Sequence, residues 1–412
     1  MKSNKSVELL APAGGWPQLR AALNAGADAV FFGAGHFNMR ARAKNFSLEE
    51  LPEVVTCCRE AGARAYLTLN TIVYESELDQ LESVLVAAKQ AGVDAVIAAD
   101  FAVITSAKAH GLPVHISTQM SVSNSATLKF FAQMGIRRVV MARECTLQDI
   151  AQIRTHADLE DLKIEVFGHG AMCVAVSGRC FMSEFEKGRS ANRGECAQPC
   201  RRGYGIQSER GGEGFSLEKH HVMSPKDLCT LPFVEKLLDA GIDSIKIEGR
   251  NRSPDYVHTV ISVYRKALDT YQEKQHTPSF AEDFEQMKSE GMAELKKVYN
   301  RGFSEGFYMG KPMGTWTTDP GNQSTHRKDY VGQIINMDPD GKHVTVRLES
   351  EDLSEGTKIF IESPELGFLE INPEGIEQDG QSVKHAEKGS IITLPQKPYM
   401  HKGLKFYKLS PR

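Results

Sequence analysis

Long apolar runs are missing from this chain of 412 residues. No stretch approaches the ~20 apolar residues of a membrane-crossing helix. The opening MKSNKSVELLAPAGG has no run long enough for a signal peptide, so a cytoplasmic protein is expected. A surplus of one charge is missing too: 49 basic side chains stand against 53 acidic ones, for a formal net charge of −4. That balance excludes a chain-wide nucleic-acid surface, although basic charge can still gather locally. The zinc-protease signature H-E-x-x-H is absent, and APAGG after the first apolar run is not the G-x-G-x-x-G of dinucleotide binding.

What is present is a repeated phrase. AGADAVFFG (25–33), AGVDAVIAA (91–99), MGIRRVVMA (134–142) and AGIDSIKIE (240–248) each close a helical pattern with glycine and enter a short apolar stretch. Glycine suits the residue after a helix because it lacks the Cβ that makes positive φ costly. Eight such apolar runs occur, at 7–11, 28–33, 64–69, 94–99, 113–117, 137–142, 163–168 and 243–248, with amphipathic helical segments between them. Strands alternating with helices predict a parallel sheet. Eight units are the count of a TIM-type (β/α)8 barrel, with an open doubly wound sheet as the alternative.

In such a barrel the chemistry sits where strands end. Those positions hold Asn70, Asp100, the stretch His115 to Gln119, Arg143, Glu144, His169, Lys246, Glu248, Arg250 and Arg252. Any single one reads equally well as an ion pair or a cap; the set at one rim reads as a site.

The seventh strand is followed by an unusually long loop, 169–225, and loops of that length are usually functional. The next helix is expected to start at Ser224, with Pro225 at its first position, which would put Cys229 in the first turn, on the rim. Of the eight cysteines, Cys173, Cys180, Cys196 and Cys200 follow the spacing C-x6-C-x15-C-x3-C, and Cys229 comes a little further on. Only the last pair has the close spacing of structural zinc sites. An iron–sulfur cluster, a zinc ion and unliganded thiols all remain open on spacing alone. Cys57, Cys58 and Cys145 read as small buried hydrophobes.

EVFGHGAMC (165–173), SGRC (177–180), NRGECAQPCR (192–201), SPKDLC (224–229) and IKIEGR (245–250), with ELLAPAG and ALNAGADAVFFG near the start, resemble the U32 family, named for peptidases and collagenases. The likeness covers nearly the whole chain. Typical members read Tyr-x-Gly where this chain has Phe31-Phe32-Gly33. The resemblance implies an oxygen-independent hydroxylase acting on a tRNA wobble uridine, a ribosomal RNA base or a ubiquinone precursor, with a [4Fe–4S] cluster on four cysteines. The tRNA branch, most similar in length and C-terminal extension, is thought to use prephenate as hydroxyl donor. The expected ligands are Cys173, Cys180, Cys229 and Cys196, with Cys200 in reserve for the last place.

The expected architecture is therefore a TIM-type barrel over residues 1–325 and a small C-terminal β-barrel over 326–412, where short β-rich runs alternate with turns. The stretch 301–330 reads as a linker. From Lys388 to Arg412 there is no acid, and Tyr399, Phe406 and Tyr407 are interleaved with lysines, a footprint of single-stranded nucleic-acid binding that an edge strand guarded by lysines would also produce. Lys187, Arg189, Arg193, Arg201 and Arg202 add basic charge to the cysteine loop.

On the hydroxylase reading His115 and His169 are proton shuttles, and Asn70 and Glu248 complete the catalytic group. Arg143, Lys246, Arg250 and Arg252, with Gln119, bind a small diacid such as prephenate. The partners are tRNA and that donor, no membrane is involved, and either a homo- or a hetero-oligomer fits. A peptidase is the alternative from a different class, with Cys173 and His169 as its candidate pair.

Overall fold

The computed structural model describes residues 7–157, 161–206, 215–217, 223–311, 315–317, 319 and 321–412. The first six residues of the opening segment, and parts of 169–225 and 301–330, lie outside the described residues. Among those described, no helix is long and apolar enough to cross a membrane.

The eight apolar runs form eight parallel strands. They are β1 (Glu8–Ala13), β2 (Ala29–Phe32), β3 (Arg64–Leu69), β4 (Ala95–Ala98), β5 (Val114–Ile116), β6 (Arg138–Val140), β7 (Lys163–Gly170) and, after an insert, β11 (Ser244–Ile247). Each pairs with the next, and β11 pairs with both β7 and β1, so the sheet closes. Helices α1 (Trp16–Asn24), α2 (Leu51–Glu60), α3 (Leu78–Ala91), α4 (Phe101–Ala109), α5 (Ser125–Gln133) and α6 (Leu147–Ala157) follow the first six strands. Asp100 caps α4, accepting from Ala102 N at 2.8 Å, so this rim acid serves the helix.

Strand alternation decides what fills the barrel. Leu9, Val30, Leu67, Val96, Ile116 and Ile245 face the helices in the main core. Their neighbours point inward, where Leu10, Phe31, Tyr66 and Ile97 form a small cluster of their own. Beside it runs a chain of buried charges. Arg138 pairs with Glu8 and, at 3.3 Å, with Glu165; Lys246 pairs with Glu165 at 3.4 Å; Arg64 reaches Glu8 at 2.9 Å from the N-terminal end of the barrel. Burial pushes the Glu8 carboxyl up, but the bonds and charge of Arg138 outweigh it and hold it below its ordinary value. Inside an apolar wall these charges survive only as a set.

One irregularity shapes the rim. The β7–β11 register shifts after Lys246, which pairs with Phe167, while Ile247 pairs with His169. Gly168 is the extra residue of this bulge, and a Cβ there would come 2.4 Å from Ile245 Cγ2. A one-residue slip turns the following side chains to the other face of the sheet.

The insert holds α7 (Met182–Lys187), a hairpin of β8 (Tyr204–Ile206) and β9 (Phe215–Leu217), and β10 (Asp227–Cys229). The helix expected to begin at Ser224 is not there. Residues 227–229 instead run antiparallel to β7, with Cys229 opposite His169, and α8 (Val234–Asp239) starts later. The reason is Asp227: its N–H donates to Gly302 O at 2.9 Å and its carboxylate pairs with Arg301 at 3.4 Å, bonds that favour an extended backbone. After α9 (Pro254–Lys274) and α10 (Phe280–Lys297), β12 (Phe303–Ser304) adds to β10 in parallel. Tyr308 Oη donates to Phe167 O at 2.6 Å. The stretch expected as a linker thus builds part of the barrel's corner.

From His326 to Pro411 eight strands form an antiparallel sheet around a separate apolar core. Phe406 is fully buried there and Tyr399 packs against it, so only Tyr407 of the three aromatics stands beside the lysines. The expected stacking surface is therefore not formed. Strand Gly367–Ile371 docks on the barrel: Asn24 Nδ2 donates to Leu366 O at 3.0 Å and Phe368 meets His258 at 4.9 Å.

Arg138→Met should cost about 3–5 kcal/mol, because it leaves buried Glu8 with only the half-exposed Arg64 and buried Glu165 with only Lys246. Urea unfolding reads the loss, and adding Glu8→Gln and Glu165→Gln should recover part of it.

Candidate functional site

The strand ends and the insert enclose a pocket of about 190 Å³ at the C-terminal mouth of the barrel. Six arginines line it (Arg40, Arg42, Arg143, Arg201, Arg252 and Arg301) against two glutamates, Glu144 and Glu248, so it suits an anion. A smaller recess of about 40 Å³ shares Arg40, Gln119, Arg143 and Glu248 with it and adds Asn70, Lys246 and Arg250.

Glu248 ends the eighth strand and ties the loops together. Arg40 Nη2 pairs with its Oε1 at 3.0 Å and Arg143 Nη2 approaches Oε2 at 3.7 Å. Burial pushes this carboxyl up, yet Arg40, Arg143 and Arg250 hold it below its ordinary value. Arg143 also donates to Ala171 O at 2.7 Å and lies 3.8 Å above the Phe167 ring. The loop carrying Arg40 is clamped by the insert: Gly194, at φ 86°, sits where a Cβ would come 2.1 Å from Asn38 O.

The amides form a relay. Asn70 Oδ1 accepts from Met39 N at 3.1 Å, and Asn70 Nδ2 donates to Ser117 Oγ at 3.2 Å and to Gln119 Oε1 at 3.1 Å. Arg250 donates to Thr68 Oγ1 at 2.8 Å, and burial lowers its guanidinium to about 9. Lys246 is buried 4.2 Å above the Phe31 ring, its ammonium pushed down by that burial against the pull of Glu165. Arg252 stacks 3.7 Å above the Tyr299 ring at the pocket's side.

Cys173, Cys180, Cys196 and Cys200 all line the larger pocket. Three of the sulfurs accept a backbone N–H from two residues on: Ala175 to Cys173, Met182 to Cys180 and Gln198 to Cys196, each at 3.4 Å. Among the described residues, no three His, Cys, Asp or Glu side chains are gathered to hold a metal ion. The donor set on this pocket is four thiols, the chemistry that zinc and iron–sulfur sites share.

Three expected site residues lie elsewhere. Past the Gly168 bulge His169 faces outward, buried among Tyr256, Tyr264 and Phe303, and burial, then Arg252, lowers it to about 3. Cys229, its partner across the strands, faces the same layer; its Sγ meets Met292 Sδ at 3.7 Å and burial pushes the thiol up to about 12. Neither lines the pocket. His115 points into the barrel below the rim, its ring 4.7 Å from that of Tyr66; burial, Arg138 and Lys246 hold it neutral. Cys57, Cys58 and Cys145 are buried as expected.

Sequence reasoning missed Arg40, Arg42 and Arg301. The first two sit in FNMRARAKNF (37–46), where charge alternating with small residues looked like an ordinary loop. It also took the G-x-S-x-G form to be missing, whereas Gly302–Gly306 has it. Ser304 lies in β12 and its Oγ donates to Asp227 O at 3.4 Å, without the strand-to-helix turn of a nucleophile elbow.

A closed parallel barrel with an arginine-rich, thiol-lined mouth is the architecture of an enzyme built on strand-end loops. The model of peptidase family U32 matches residues 14–318, and the chain belongs to that family. A collagenase of Porphyromonas gingivalis is 37% identical over 414 residues, covering 98% of both chains. A tRNA hydroxylation protein P1 of Bacillus subtilis is 36% identical over 389 residues, 93% of this chain and 90% of that one. The 23S rRNA 5-hydroxycytidine C2501 synthase of Escherichia coli is 39% identical over 267 residues, 65% of this chain and 40% of that one.

The buried His169 makes a testable pH signature. Its value in the fold is about 3 against an ordinary 6.5, so its contribution is fully present above about pH 6.5 and is lost as pH falls towards 3. Between pH 6.5 and 4.5 stability should drop by up to about 1.4 kcal/mol per pH unit from this group. In His169→Phe that share of the slope should vanish, as read from urea midpoints across the range.

Proposed function

We propose that this U32 protein is an oxygen-independent hydroxylase that forms 5-hydroxyuridine at the wobble position of tRNA. The observation that carries the reading is that four thiols line one arginine-rich pocket. The relatives named for hydroxylation of tRNA and rRNA support an RNA base as substrate. In this reading Cys173, Cys180, Cys196 and Cys200 hold a [4Fe–4S] cluster, with Cys200 in the place expected of Cys229. Such a cluster supplies one-electron redox or Lewis-acid chemistry when bound.

The rest falls to the chain's own side chains. Arg143, Lys246, Arg250 and Arg40 take the carboxylates of a diacid donor such as prephenate. Glu248 keeps Arg40 and Arg143 at fixed positions, so they need no reorganisation when the anion arrives. The Asn70 and Gln119 amides face the recess and suit the carbonyl and imide edge of a uracil. Arg252 guards the pocket's side. A wobble base already lies in a loop, so entry to the barrel mouth costs little unpairing. His115 and His169 take no part in proton transfer.

The relatives named as collagenases point to hydrolysis instead. Among the described residues no histidine lines the pocket, so the thiols there have no described base of the kind a cysteine protease requires.

Two measurements test the proposal. Nucleosides from a strain lacking the gene should lose the 5-hydroxyuridine-derived mark by mass spectrometry; unchanged tRNA beside an altered rRNA base would move the substrate. In anaerobically purified protein, serine at Cys173, Cys180, Cys196 or Cys200 should remove most of the iron and sulfide, whereas Cys229→Ser should keep it. A full cluster in Cys200→Ser, with loss in Cys229→Ser, would overturn the ligand set.

A further inference from the structure

The insert after β7 carries apolar surface that its own fold does not use. Phe185 is 86% exposed and Phe181 62% exposed, and their rings lie 5.9 Å apart at 35°. Phe185 stands on α7 and Phe181 immediately precedes it, while Met182 and Ser183 of the same helix line the pocket, so one short segment borders the site and also presents the rings. Its base is tied down. Cys180 N donates to Asn192 Oδ1 at 3.1 Å, Ala197 N donates to Ser183 Oγ at 2.9 Å, and Gly188 ends the helix at φ 62°.

Charge around the rings indicates what covers them. Residues 167–202 hold six basic side chains against three acidic ones. Lys187 and Arg202 share Glu186, Arg179 reaches only the Ser121 hydroxyl at 2.7 Å, and the exposed Arg189 side chain has no ion pair or hydrogen bond among the described residues. The centre of a protein–protein interface is depleted of charge. Aromatic faces beside cations that outnumber the acids suit unpaired bases and their phosphates.

We propose that Phe181 and Phe185 form a stacking platform for the unpaired bases flanking the target nucleotide of an RNA loop, with Lys187 and Arg189 on its phosphates. The inference rests on the reading of the protein as an RNA hydroxylase. Phe181 directly follows Cys180, so bases held on the platform lie beside the pocket that takes the target.

The test uses the full chain and a short RNA stem–loop with uridines in its loop, beside the blunt duplex of the same stem. Phe181→Leu/Phe185→Leu keeps apolar bulk and removes stacking; it should weaken loop binding about tenfold or more while leaving duplex binding, iron content and circular dichroism unchanged. Phe185→Trp should bind the loop at least as tightly as the natural protein. Leucine variants that bind the loop normally would overturn the platform, and loss only in Phe185→Asp would assign the surface to a protein partner instead. Nucleoside analysis separates the two levels. An unchanged gene-deletion strain sinks the hydroxylase reading; full restoration of the mark by the leucine variant sinks the platform alone.

Discussion

Glu248 is the carboxylate on which the barrel mouth depends. It sits at the end of the last strand and engages Arg40 from the loop after β2 and Arg143 from the loop after β6. Arg143 in turn holds the first residue of the insert, and Gly170 lets that chain pass where a Cβ would come 2.3 Å from Glu248 O. Three loops distant in sequence thus meet on one side chain. A carboxylate buried among arginines is costly alone and stable in company.

Below that hub the barrel is filled with charge where most barrels of this type use branched apolar side chains. Glu8, Arg138, Glu165 and Lys246 run from the closed end to the recess. The negative members end at Glu165, and above it Lys246, Arg250 and the rim arginines outnumber the acids. An anion entering the mouth therefore meets oriented cations in a water-poor setting, where each contact counts for more than in bulk water.

The eight strands were legible because each is an apolar run with inward and outward positions, and six of them also follow a glycine that closes the preceding helix: Gly26, Gly62, Gly92, Gly111, Gly135 and Gly241. Asn70, Gln119, Arg143, Lys246, Glu248, Arg250 and Arg252 were legible as rim residues for the same reason: regular strands make strand ends countable. What failed was what regularity cannot report. One extra residue at Gly168 reversed His169, and its cross-strand pairing carried Cys229 to the same wrong face. His115 was placed one pleat too high. Arg40 belongs to a loop whose path is set by its contacts, not by its own pattern. Phe406, read beside lysines as a surface aromatic, is the inward member of an alternating strand.

The corner made by β10 and β12 also sets an order on the making of this protein. Asp227 leaves the insert with its carboxylate buried, yet Arg301 follows 74 positions later, after two long helices. Until that arginine and Phe303 emerge from the ribosome, β10 offers an unpaired edge and the mouth lacks one wall. A nascent chain can close its barrel at residue 247 and still have no finished pocket. Ribosomal stalling within α10 would therefore yield a folded barrel whose mouth stays open, with its pocket thiols on the unwalled side exposed to whatever is in solution.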